Sequence, residues 1–118
     1  MGVGKYDFCS SQEVDSWLED PHQDSRIAGR IQRRTDYVLR RIEVGGPAAG
    51  DDYFEKLDDD LWEIKVFRYR IFSTIRGSTV LMAMVLEKKK GRLSRSVLDL
   101  AQQRVNDFVA SVDPETCT

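Results

Sequence analysis

Residues 61–86 hold three consecutive segments that favour β-strands, and they constrain the fold more than any other part of the chain. The segments 61–67, 69–75 and 79–86 are rich in β-branched and aromatic residues, which are enriched in strands. Arg76-Gly77-Ser78 is typical of a hairpin turn between the second and third segments. The first two segments either turn tightly around Phe67-Arg68 or form one long bent strand, and the sequence leaves both possible.

The N-terminal part predicts a short strand and then a helix. Residues 5–9 alternate between polar and apolar side chains, as a strand does. Ser10, with Glu13 three residues later, matches a capping box and predicts that a helix begins there. We expect Asp20-Pro21 to end this helix, because the residue before a proline is disfavoured in the helical region.

A long amphipathic helix is predicted from Asp24 or Ser25 to the break at Gly45-Gly46-Pro47. Its apolar stripe comprises Ile27, Ile31, Val38 and Ile42, with Thr35 in the gap. Its arginines fall largely off this stripe, and we interpret them as a solubilising outer surface.

The next segment, residues 45–60, is predicted to be a polar loop that ends in Asp58-Asp59-Asp60. Three adjacent carboxylates point in different directions, so we do not expect them to share a cation. Ser94 is the expected N-cap of a last helix whose apolar stripe packs on the sheet. The tail from Asp113 is predicted to be frayed.

The order of elements is therefore β-α-α-β-β-β-α, which predicts an α+β fold. We expect a small antiparallel sheet of three or four strands, packed on one face by the N-terminal helices and a C-terminal helix. A chain of 118 residues is the size of one domain, which we assign to residues 1–118.

Composition excludes several classes of protein. No apolar run is long enough to span a membrane, and the N-terminus lacks the apolar segment of a secretory signal, so we expect a cytoplasmic protein. Two cysteines cannot form a disulfide framework, and Cys9 is interpreted as a small buried hydrophobic residue. One histidine with two distant cysteines excludes a Cys/His zinc site. We expect His22 to be a surface residue.

Charge is distributed unevenly along the chain. Residues 1–60 carry 8 Lys/Arg and 14 Asp/Glu, whereas residues 61–112 carry 10 Lys/Arg and 4 Asp/Glu, within a total of −2. The excess of positive charge in the second half indicates either a surface for a polyanion or acidic partner, or a solvated face without a ligand.

One stretch of the chain resembles the RelE/HigB toxin superfamily, and in particular its phage-derived, HigB-related branch. The stretch reads LDDDLWEIKVFRYRIFSTIRGSTVLMAMVLEKKKGRLSRSVLDLAQQRVNDF. The similarity lies in the ordered combination of the LWEIK and RYRIF strands, a strand that ends in paired lysines, and a helix that carries Ala101-Gln102-Gln103-Arg104.

This resemblance implies a RelE-like fold and the toxin of a type II toxin–antitoxin module. Such toxins are typically ribosome-dependent endoribonucleases that cut mRNA without a cofactor. The implied partners are the ribosome, mRNA and a cognate antitoxin, often a helix-turn-helix protein. By position in the family pattern, Lys65 falls on a basic catalytic site, Arg70 on the arginine associated with transition-state charge, and Lys88 or Lys89 near a second basic position.

Attack of a 2′-hydroxyl on its neighbouring phosphate needs a proton acceptor and fixed positive charge on the phosphate oxygens. We therefore predict a catalytic set of Lys65, Arg70, Lys88 and Glu63. Glu63 is a proton acceptor or, more often at such a position, a structural ion-pair partner. The predicted RNA-binding residues are Arg68, Tyr69, Lys89, Lys90 and Arg92. The hypothesis requires Lys65 and Arg70 to lie on the same face of the sheet.

The sequence departs from several superfamily members, which carry a histidine or tyrosine on or before the last helix. Ser94, Arg95 and Ser96 stand there instead, so base stacking would come from Phe67, Tyr69 or the ribosome. Two alternatives therefore stay open: a non-catalytic binding module on the same scaffold, and a protein directed at DNA gyrase.

Overall fold

A computed structural model describes residues 5–19 and 25–118 and confirms the α+β class. Its strands are β1 (Asp7–Ser10), β2 (Phe54–Asp58), β3 (Leu61–Val66), β4 (Tyr69–Arg76) and β5 (Thr79–Glu87). Its α-helices are α1 (Gln12–Glu19), α2 (Ser25–Gly45) and α3 (Arg95–Ser111), and a 3-10 turn covers Gly46–Ala49. The sheet has five strands in the order β1-β5-β4-β3-β2, one or two more than predicted. All neighbours are antiparallel except β1 and β5, which are parallel.

A tight turn joins β3 and β4, so the alternative of one long bent strand is wrong. Val66 pairs with Tyr69, and Phe67 and Arg68 alone connect them. Phe67 has a φ of 55°, in the left-handed region that such turns use. The register then pairs Lys65 with Arg70 directly across the two strands.

The sheet has a hydrophobic core on each face, and the prediction that all helices pack on one face is wrong. Ile64 and Ile71 point toward α1 and α2, where they pack with residues such as Val38. Phe72 points the opposite way and packs with Val105 of α3. Successive strand residues alternate between faces, and here both sets are apolar, so both faces are covered.

Helix boundaries agree with the sequence except at α1. Ser94 caps α3 as predicted, because its Oγ accepts a hydrogen bond from Val97 N at 3.2 Å. At α1 the capping residue is Ser11 and not the predicted Ser10: the Oγ of Ser11 accepts a hydrogen bond from the N–H of Val14 at 3.2 Å. Ser10 instead donates to the carboxylate of Asp15.

The long helix α2 ends at the predicted glycine pair. Gly46 has a φ of +54°, and a Cβ at this position would overlap the ring of Tyr6. The N–H of Tyr6 donates to the carbonyl of Glu43 at 2.8 Å, which brings the chain before β1 against the end of α2. Only a residue without a side chain fits this close approach.

The two ends of the chain are joined by a disulfide between Cys9 and Cys117, with Cα atoms 5.5 Å apart. Cys9 is buried as predicted, at 1% exposure, but its sulfur is bonded, which the sequence interpretation missed. Beside this bridge, Thr79 Oγ1 donates to the carbonyl of Pro114 at 3.4 Å, while the prediction that the tail from Asp113 is frayed stays a prediction.

Two expectations, the end of α1 at Asp20-Pro21 and the surface position of His22, lie outside the described residues. Within residues 5–19 and 25–118, no helix is both long enough and apolar enough to cross a membrane.

Candidate functional site

Lys65 and Arg70 lie on the same face of the sheet, as the catalytic hypothesis requires. They are directly opposite each other on β3 and β4, and opposed residues of an antiparallel pair project to the same side. This is the side on which α3 packs, because Phe72, two residues beyond Arg70, belongs to the α3 core. The positive charges of Lys65 on β3 and Arg70 on β4 therefore lie next to each other on the α3 face, beside its hydrophobic core.

Arg70 is held by the turn that precedes it. Its Nη1 donates to the carbonyls of Phe67 at 2.8 Å and Tyr69 at 3.0 Å. Its Nε lies 3.2 Å from Oε1 of Glu63, and its side chain is only 13% exposed. Among the residues that the structure describes, neither of these two atoms has a hydrogen-bond partner of good geometry, so the pair is a charge contact without an aligned hydrogen bond. The guanidinium is fixed in place, with part of its donor capacity unused.

Glu63 is a buried carboxylate among positive charges, with 6% of its surface exposed. Burial raises its pKa above the ordinary value, while Arg70 and Lys65, and more weakly Lys88, oppose that rise. A carboxylate whose pKa moves toward neutrality is better suited to accept and release a proton. The same residue is also the ion-pair partner that the sequence interpretation offered as the alternative role.

Lys65 is paired with a residue that the sequence interpretation missed. Its Nζ donates to Oε1 of Glu55 at 2.7 Å, and Glu55 lies opposite Glu63 in the β2–β3 register. Glu55 escaped notice because residues 45–60 were predicted to be a loop, whereas Phe54–Asp58 form β2. The residues Phe54-Glu55-Lys56-Leu57 do not alternate between apolar and polar side chains, so periodicity gave no clear signal for this strand.

The basic segment after β5 borders this cluster. Lys88 is anchored through its backbone N–H, which donates to the carbonyl of Arg68 at 2.7 Å. Its side chain is half-buried and its charge acts on Glu63. Lys89, Lys90 and Arg92 are exposed. The structure therefore brings Lys65, Arg70, Lys88 and Glu63 together and leaves the other basic residues of this segment at the rim.

Tyr69 and Arg68 are placed elsewhere. Tyr69 is adjacent to Arg70 in β4, so its side chain points to the opposite face of the sheet. There its ring packs against Trp17 in a tilted arrangement, with a centroid distance of 5.2 Å. Burial raises the pKa of its hydroxyl. Arg68 lies at the turn, 67% exposed and 3.5 Å from Glu87. Tyr69 is therefore not positioned to stack on a base held between Lys65 and Arg70.

The acidic triplet has a structural role at its last member. Asp60 makes a double hydrogen bond to Arg76, with both oxygens 2.8 Å from the guanidinium, and it accepts a further bond from Thr74 at 2.6 Å. The Arg76 hydrogen bonds hold the pKa of Asp60 below its usual range. Across residues 5–19 and 25–118, no group of three or more His, Cys, Asp or Glu side chains is arranged to hold a metal ion.

Comparison with known proteins adds one result. Residues 25–106 match the family model described as phage derived protein Gp49-like (DUF891). This range includes all nine predicted site residues. A search of curated proteins finds no match to the chain.

Proposed function

The chain belongs to the Gp49-like family of phage-derived proteins, and from this premise we propose that it is the toxin of a type II toxin–antitoxin module that cleaves mRNA on the ribosome. The family agrees with the phage-derived branch that the sequence resembles. The observation that carries the proposal is the convergence of Lys65, Arg70 and Lys88 around the buried carboxylate of Glu63.

In the proposed reaction, Glu63 takes the proton of the ribose 2′-hydroxyl, and the 2′ oxygen attacks the adjacent phosphorus. The bond from phosphorus to the 5′ oxygen breaks, and the leaving oxygen takes a proton from water. Arg70 and Lys88 stabilise the extra negative charge of the crowded phosphorane, as fixed cations in a partly dry site do. No step requires a metal ion.

Substrate binding must exchange existing ion pairs for contacts with RNA. Lys65 is 24% exposed and bonded to Glu55, whereas Arg70 is less exposed and lies against Glu63. We propose that an incoming phosphate displaces Glu55 from Lys65, because this pair is the more accessible of the two. Replacement of Glu55 by glutamine would then free Lys65 and strengthen RNA binding.

The test adds purified protein to translating ribosomes and maps mRNA ends. We expect cleavage by the wild-type chain and loss of cleavage, by roughly a hundredfold or more, in Arg70→Ala, the size typical of removing one charge-stabilising donor. Arg70→Lys keeps the charge and separates a loss of geometry from a loss of charge. Arg40→Ala, at an exposed position of α2, is the control, and denaturant unfolding confirms that each variant folds. Intact mRNA and normal translation at high protein concentration would contradict the proposal.

One observation favours a non-catalytic binding module as a second candidate. Lys65 and Arg70 are already neutralised by Glu55 and Glu63, which limits their availability for transition-state charge. Such a module would bind RNA or an acidic partner in a strongly salt-dependent manner and leave the RNA intact.

The proposed function includes a cognate antitoxin of the helix-turn-helix type and a cytoplasmic location. The toxin–antitoxin pairing is tested by inducing the protein in cells: growth should stop, and Arg70→Ala or co-expression of a neighbouring antitoxin gene should restore it. A reducing cytoplasm keeps most cysteines as thiols, so this location predicts that Cys9 and Cys117 are reduced in the cell and that the disulfide belongs to the oxidised protein.

A further inference from the structure

A pocket lies between the beginning of α2 and the β3–β4 turn, on the face of the sheet opposite Lys65 and Arg70. Its volume is about 360 Å³, within the range of small-molecule sites. Its walls are formed by four apolar or aromatic side chains, those of Ile27, Ile31, Phe67 and Tyr69. Ile27 and Phe67 are 37% and 47% exposed, so large apolar surfaces face solvent here, and Ile27 does not join the buried stripe that the sequence predicted.

Charged groups border this apolar pocket. Arg30 and Arg68 contribute guanidinium groups, and Glu87 contributes a carboxylate 3.5 Å from Arg68. The pocket therefore offers flat apolar surfaces, donors for an anion, and one acceptor.

Arginines of α2 extend the positive surface away from the pocket. The guanidinium of Arg30 lies 5.6 Å from the ring centroid of Phe67, and that of Arg34 lies 5.8 Å from the same ring. Arg34 and Arg41 both lie over the ring of Tyr53, at 5.3 and 4.8 Å. Stacking on aromatic rings holds a guanidinium plane in place and leaves N–H groups at its edge able to donate. One of these groups, Nη1 of Arg41, donates to the hydroxyl of Tyr37 at 3.4 Å. These contacts give three of the α2 arginines defined positions, which the interpretation as a solubilising surface did not anticipate.

We propose that this pocket binds one nucleobase of a single-stranded RNA, with the adjoining phosphates along Arg30, Arg34 and Arg41. Aromatic platforms beside cationic side chains are the usual means of holding unpaired bases and their backbone. Phe67 and Tyr69 line the pocket and offer aromatic rings to a base, and the N–H groups of the base can donate to Glu87.

Glu87 favours a base over an acidic peptide as the occupant. A carboxylate side chain that entered the pocket would meet the carboxylate of Glu87, and like charges repel. A neutral base avoids this repulsion and supplies the donor that a carboxylate accepts. The excess of positive charge along α2 then fits the phosphates outside the pocket.

This site is separate from the proposed catalytic cluster, because Tyr69 and Arg70 project to opposite faces of β4. Binding at the pocket is therefore measured without ribosomes and without cleavage. A 2′-O-methyl RNA octamer is a suitable probe, since it has no free 2′-hydroxyl to attack the phosphate.

The experiment measures the affinity of a fluorescein-labelled octamer by anisotropy. Phe67→Asn removes the ring while asparagine tolerates the left-handed backbone at this position. We expect this variant to bind about tenfold more weakly, in line with the loss of one stacked base. An octamer with the same backbone but no bases should bind about as weakly to the wild-type chain as the normal octamer binds to the variant.

The double variant Arg30→Gln/Arg34→Gln has a matched control in Arg33→Gln/Arg40→Gln, which removes the same charge from exposed positions of the same helix. We expect the first pair to lose at least fivefold more affinity than the control. Equal losses in the two pairs, equal binding of the base-free octamer, or equally tight binding of an oligoglutamate peptide would each overturn the proposal.

Discussion

Replacement of Cys117 by serine opens the disulfide that joins the two ends of the chain. The linked residues are 108 apart in sequence, so the closed loop includes almost the whole protein. For a loop of about 100 residues, the entropy of the constrained unfolded chain corresponds to about 4.7 kcal/mol at 25 °C. Cys117 is the better site for substitution because it is exposed, whereas a hydroxyl at Cys9 would be buried.

We expect the free energy of unfolding of Cys117→Ser to fall by up to about 4.7 kcal/mol. With a typical urea dependence near 2 kcal/mol per molar, the midpoint would drop by roughly 2 M. Urea unfolding followed by circular dichroism, with and without dithiothreitol, provides the measurement. Reduced wild-type protein should match the variant, and the variant should not respond to reductant.

Two results would refute this reasoning. A loss below about 1 kcal/mol would show that the bridge does not constrain the unfolded chain as the entropy model requires. Two titratable thiols in unfolded wild-type protein that has not been treated with reductant would show that the bridge is not formed. Thr116→Ser, next to Cys117, controls for a general disturbance of the tail.

Three further predictions concern stability. Gly46→Ala should destabilise the fold more than Gly77→Ala in thermal unfolding. Both glycines have positive φ, but only Gly46 faces a side chain, so Gly77→Ala causes only the backbone strain of about 1–3 kcal/mol. Equal losses of stability would contradict the packing at Gly46. The raised pKa of Glu63 means that ionisation of this carboxyl opposes folding. The free energy of unfolding of the wild type should therefore fall relative to that of Glu63→Gln as pH rises above about 4.5. If the difference in unfolding free energy between the two proteins did not change from about pH 4 to pH 8, the buried charge would be contradicted. The pKa of Asp60 is lowered in the folded protein by Arg76. The stabilisation by this ion pair is therefore present above about pH 4 and is lost as pH falls through the pKa of Asp60 in the folded state. Arg76→Gln should shift the midpoint of acid unfolding to higher pH, and an unchanged midpoint would contradict a stabilising Asp60–Arg76 pair.

Local patterns in the sequence determined the elements with strong periodicity. The strands β3, β4 and β5, the end of α2 at Gly45-Gly46 and the cap at Ser94 depend on neighbouring residues, and all agree with the structure. The pairing of Lys65 with Arg70 followed once the turn at Phe67-Arg68 was known to be tight, since the register of a hairpin is set by its loop.

Only the tertiary structure decided which distant groups meet. Glu55 joins the basic cluster because β2 pairs with β3, and Cys117 reaches Cys9 because the tail after α3 returns to β1. The pocket beside Phe67 exists because the beginning of α2 packs next to the β3–β4 turn. Such contacts depend on how distant segments pack together. A single sequence indicates this packing only through strands that carry apolar residues on both faces, and it does not show which element covers which face.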